Sequence, residues 1–138
     1  MPKQKSEDFQ KKYLELQIII QQINQVQQQL NNVQNQILEL NNLKESIISL
    51  KDIKDDTDSF APVGFNIFTK TKLKNTDELL VNVGSNVFVT KSIDETNELV
   101  DSQIKQIGLI IKELENKLTE LERTGELVQN EILQSSNK

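Results

Sequence analysis

The side chains able to do chemistry in this chain are carboxylates and amines, because it has no His and no Cys. Without them no Ser-His or Cys-His nucleophile can be built, and the usual zinc sites, which draw on imidazole and thiolate, are excluded. The densest carboxylate group is Asp52, Asp55, Asp56 and Asp58. Its oxygens would suit calcium, but the run lacks the turn glycine and the bidentate Glu of an EF-hand loop. It reads as a solvated turn that ends a helix. The nearest candidates for a basic patch are Lys3, Lys5, Lys11 and Lys12, interrupted by Glu7 and Asp8, in a chain of net charge -5. Phosphate recognition needs clustered, uncompensated cations, so no nucleic-acid partner is expected. No P-loop, dinucleotide fingerprint or nucleophile elbow is present. Carboxylate-only catalysis would need a concave pocket, and the elements described next build none. The expectation is a protein that is not an enzyme and has no catalytic residue, metal or cofactor.

What remains is a pattern of apolar residues. In the second half Val100, Ile104, Ile107, Ile111, Leu114, Leu118 and Leu121 recur at steps of four and three, and the series resumes past Gly125 at Val128 and Ile132. Such a repeat is a coiled-coil seam. The first half carries a less regular series: Phe9, Tyr13, Leu16, Ile19, Ile23, Val26, Leu30, Val33, Ile37, Leu40, Leu43, Ile47 and Leu50. Two steps of three followed by three, near Leu16 and Leu40, read as local overwinding. The chain has no Trp, five Phe and one Tyr, with 36% hydrophobic residues. That is thin for a globular core but enough for a seam, which needs only two apolar positions in seven. The amides between Gln17 and Gln36 read as the solvated face of the first helix.

The segment between the seams contains an internal repeat. Pro62-Val63-Gly64-Phe65-Asn66-Ile67-Phe68 is echoed twenty positions later by Asn82-Val83-Gly84-Ser85-Asn86-Val87-Phe88. Each copy predicts a hairpin, with strands near 59–63, 66–73, 78–83 and 86–91, and with Gly64 and Gly84 supplying the positive φ of a two-residue turn. A polar turn at Lys74-Asn75-Thr76-Asp77 joins the two. The first helix is expected from near Ser6 to about Leu50. The second follows Ser92, whose spacing to Glu95 is that of a capping box, and runs to about Leu133. The resulting organisation is a helix over 1–52, two hairpins forming an assembly module over 53–92, a helix over 93–134, and a disordered polar tail over 135–138.

The two periodic segments are about 42 residues, or roughly 60 Å, each. An antiparallel register that sets Leu50 beside Ile93 brings Phe9 to Leu133 or Gln134, and Gly125 to the Ile18-Ile19-Ile20 cluster. Both chain ends then share one tip, which Gly125 is expected to loosen. The fold class is α+β: a long antiparallel two-helix coiled coil with two β-hairpins inserted between the helices. Isolated hairpins with apolar faces are unstable and offer free edges. They are therefore expected to form an oligomeric β-barrel through Val63, Gly64, Phe65, Ile67, Phe68, Leu80, Val81, Val83, Gly84, Val87, Phe88 and Val89.

A coiled-coil helix, an insert containing Ala61-Pro62-Val63-Gly64 and Asn75-Thr76-Asp77-Glu78-Leu79-Leu80-Val81-Asn82-Val83-Gly84, and a returning helix together resemble prefoldin. The two hairpins resemble its α-type subunits, most like an archaeal one. The resemblance implies a hexamer of two α-type and four β-type subunits whose coils capture unfolded client proteins without ATP and deliver them to a group II chaperonin. The partners it implies are thus β-type subunits, a second copy of this chain, clients and the chaperonin.

Candidate client-binding residues at the tip are Phe9, Tyr13, Leu16, Ile18, Ile19 and Ile20 with Leu127, Val128, Ile132 and Leu133. Ile18 and Leu133 lie off the traced seam, so closing the coil does not account for them. The acidic charge would favour basic clients or a basic chaperonin surface. The alternative reading is a structural tether that oligomerises through its hairpins and spaces other factors. With no cysteine, no apolar leader and no apolar run long enough to span a bilayer, the expected location is the cytoplasm, away from membranes.

Overall fold

The computed structural model describes the backbone of residues 2–136 and the side chains of residues 6–135. Helix α1 spans Pro2–Ser49 and ends in a 3₁₀ turn, Leu50–Asp52. Strands β1 (Thr57–Gly64) and β2 (Ile67–Leu73) form one antiparallel hairpin, and β3 (Glu78–Gly84) and β4 (Val87–Ser92) form another. Helix α2 spans Ile93–Ser136. Two long helices in contact, with two hairpins between them, is the architecture the seams predict.

Both helices extend past their expected limits. Helix α1 begins at Pro2 rather than near Ser6; proline is favoured in the first helical turn, where its missing N–H costs no hydrogen bond. The backbone at Lys3 and Lys5 is therefore helical, while their side chains lie outside the described residues. Helix α2 continues through Ser135 and Ser136, and Asn137 and Lys138 lie outside the described residues.

The chain divides into two compact units. One holds the stretches up to Ile37 and from Gln106 onward; the other holds Leu38–Lys105. In the terminal unit Ile19, Val128 and Ile132 are buried together, with Phe9, Leu16 and Ile23 packed against them. Lys12 Nζ lies 3.6 Å from Glu131 Oε2, and Gly125 faces Ile19, so the helices run antiparallel there in the expected register. In the central unit Ile47, Ile93 and Val100 are buried together, and Leu79 of β3 joins Leu40, Leu50 and Ile104 around them. Lys44 reaches Asp101 at 2.6 Å and Lys51 reaches Asp94 at 2.7 Å.

Local chemistry fixes the joints of the central unit. The Glu95 N–H donates to Ser92 Oγ at 3.1 Å and the Ser92 N–H points back to Glu95 Oε1 at 3.5 Å, the reciprocal capping box expected from their spacing. The acidic linker is tied to the turn between the hairpins: the Asn75 N–H donates to Asp55 Oδ1, and the Asp56 N–H to the Leu73 carbonyl. Thr76 Oγ1 donates at 3.1 Å to the Leu50 carbonyl, which also accepts the Ile53 N–H at the end of the 3₁₀ turn.

The hairpin turns depart from the expected pattern. The two-residue loops are Phe65-Asn66 and Ser85-Asn86, with φ of 48° and 61° in the first and 50° and 60° in the second. Positive φ at both central residues matches the primed turn that suits the twist of a hairpin. Gly64 (φ 146°) and Gly84 (φ 124°) stand just before the loops, at register shifts beginning at Pro62 and Asn82. Each glycine thus serves an irregularity in the strand, and the left-handed pair follows it. In the second hairpin Asn82 Oδ1 accepts the Gly84 N–H at 3.0 Å, a bond that Pro62 cannot supply in the first.

Candidate functional site

The terminal unit sorts the expected tip residues into two sets. Ile19, Val128 and Ile132 are buried, and Phe9 and Leu16 are half-buried against them; these five close the coil. Tyr13, Ile18, Ile20, Leu127 and Leu133 are exposed. The contrast is sharpest between neighbours, with Ile19 at 9% and Ile18 at 54% exposure. Leu14 is exposed as well and escaped the sequence reading, although its position off the seam carried the same signal as Ile18. It borders a surface depression with Phe9 and Tyr13, whose rings stack at 6.3 Å between centroids.

Gly125 is buried, and a methyl group added to it would meet Ile19 Cγ2 at 3.2 Å. Ile19 packs against the glycine where its missing side chain leaves room. Beside this contact runs a groove of about 270 Å³. Its α1 wall is the aliphatic set Leu16, Ile19, Ile20 and Ile23, and its α2 wall carries Glu122, Glu126 and Gln129 around Gly125.

In the central unit most of the expected assembly residues are exposed. Val63, Phe65, Ile67, Phe68, Leu80, Val83, Val87 and Phe88 all present large apolar surface, and the neighbouring Gly64 and Gly84 are exposed. Val81 and Val89 are half-buried and face each other across the β3–β4 ladder. Phe60, opposite Lys70 in β1–β2, is equally exposed and was missed, because it precedes the repeated motif. Phe65 stands out: it is fully exposed while holding a left-handed backbone that bulky residues rarely adopt. Apolar exposure on this scale is more than a monomeric soluble protein usually presents.

Among the described residues no group of acidic side chains is placed to hold a metal ion. Nor, among the described residues, is any helix long and apolar enough to cross a membrane.

Two helices in contact, a duplicated hairpin between them and apolar surface on both units define a coiled-coil assembly protein. The prefoldin subunit family model matches residues 19–138, and the chain belongs to that family. Membership makes it a subunit of a non-enzymatic chaperone that assembles with other subunits. It is similar to prefoldin subunit alpha of Methanococcus vannielii, at 27% identity over 96% of this chain and 80% of the relative. Its fold is similar to a chain in the cryo-EM structure of filamentous PFD from Methanocaldococcus jannaschii, with a TM-score of 0.75 and 22% identity over 84% of this chain and 96% of that one. The family match begins at Ile19, so Phe9, Tyr13, Leu16 and Ile18 lie before it.

Proposed function

We propose that the chain is an α-type subunit of a cytoplasmic, ATP-independent holdase. Its hairpins join those of β-type subunits and of a second copy of itself in a shared β-barrel. Its terminal unit holds unfolded client proteins and passes them to a group II chaperonin. The observation that carries this reading is the set of Tyr13, Ile18, Ile20, Leu127 and Leu133, exposed around a core that Ile19, Val128 and Ile132 already close. Apolar surface beyond what the coil needs is available to an unfolded chain.

The test is to replace Ile18, Ile20, Leu127 and Leu133 together by Ser and assemble the variant with a β-type partner. The expected result is an assembly of unchanged mass that no longer suppresses aggregation of a denatured client. Full protection by the variant would refute the reading. Capture of a specific folded protein with no protection of unfolded ones would favour a tether.

A further inference from the structure

We infer that the groove beside Gly125 selects, among unfolded clients, segments that carry Lys or Arg next to a branched aliphatic side chain. The inference rests on the holdase reading above. The groove is smaller than the roughly 300–1,000 Å³ of small-molecule pockets and suits one or two side chains. Its α1 wall offers only aliphatic surface, with Ile20 about half exposed. Its α2 wall carries Glu122 and Glu126.

These two glutamates are four residues apart, where like charges on a helix repel. Among the described residues neither forms an ion pair; the pairs present use Glu131, Asp101 and Asp94 instead. No cation lines the groove, and Arg123, on the same helix, is not among its walls. An incoming aliphatic side chain would cover Ile20 while a neighbouring ammonium or guanidinium relieves the repulsion on the opposite wall. An acidic client segment would add to it.

The assembled chaperone can be titrated with two fluorescein-labelled peptides that share one aliphatic centre, flanked by Lys in one and by Glu in the other. At low salt the Lys-flanked peptide is expected to bind roughly three- to tenfold more tightly, the scale of two exposed charge pairs. That ratio should fall toward one in the Glu122→Gln/Glu126→Gln variant, and in wild type at about 0.5 M salt, where the screening length is a few ångströms. Equal affinities in wild type, or a ratio unchanged by the double substitution, would overturn the charge selection and leave the holdase reading standing. Failure of both peptides to bind would overturn the groove as a client site, while the holdase reading stands or falls on the aggregation assay.

Discussion

In the terminal unit Gly125 faces Ile19, and a methyl group on the glycine would stand 3.2 Å from Ile19 Cγ2. The glycine interrupts the apolar repeat, and the branched side chain opposite packs against it. Val128 and Ile132 are buried beside the same Ile19.

Gly125→Ala tests the balance at this contact. Alanine gains about 1 kcal/mol of helix propensity over glycine, while Ile19 must shift by a few tenths of an ångström beside an open groove. A net stabilisation of a few tenths of a kcal/mol is expected in thermal unfolding of the assembled protein. Gly125→Leu, which cannot be absorbed by so small a shift, should destabilise by about 1–3 kcal/mol.

Ile18 and Ile19 separate client binding from folding. Ile19→Ala removes a buried knob and should cost about 2–4 kcal/mol in denaturant unfolding. Ile18→Ala changes an exposed position and should stay within about 0.5 kcal/mol, yet weaken client protection. Equal stability losses in the two variants would show that Ile18 also closes the coil.

Phe65 should trade stability for assembly. Its φ of 48° is more comfortable for Asn than for Phe, so Phe65→Asn should stabilise the first hairpin by about 0.5–1 kcal/mol. The same change deletes a fully exposed aromatic ring. Native mass spectrometry with a β-type partner should show weaker assembly, and an unweakened complex would remove Phe65 from the interface.

Ser92 anchors the start of α2 through its bond from the Glu95 N–H. Ser92→Ala should lower stability by about 1 kcal/mol, the usual cost of losing an N-cap. Ser92→Asp, which can still accept that bond, should restore most of it. Both are readable by circular dichroism during thermal unfolding.

Much of this fold was legible in the residues because its determinants are local. A four-three repeat of apolar residues specifies a seam whatever lies opposite. Ser92 and Glu95 encode a cap through their spacing alone, and the duplicated Val-Gly-x-Asn segments encode two copies of one turn, now seen with matching left-handed pairs. The antiparallel register that sets Leu50 beside Ile93 is met by Lys12 with Glu131 and by Lys44 with Asp101.

The rest depended on what each helix or strand meets. Sequence placed the candidate residues at one end of the coil, but Ile18 and Ile20 differ from Ile19 only by rotation about a helix axis, and the partner helix decides which is covered. It read Gly125 as a gap, and only the opposing Ile19 makes it a contact. In sequence Glu122 and Glu126 are two carboxylates among many, and only their position across from Leu16, Ile20 and Ile23 gives them a common groove. By itself the sequence determined the elements, their order and their pairing, since period, caps and turns act over a few residues. The tertiary structure alone decided which apolar and charged side chains are left for a partner, because exposure is a property of two packed surfaces and not of either one.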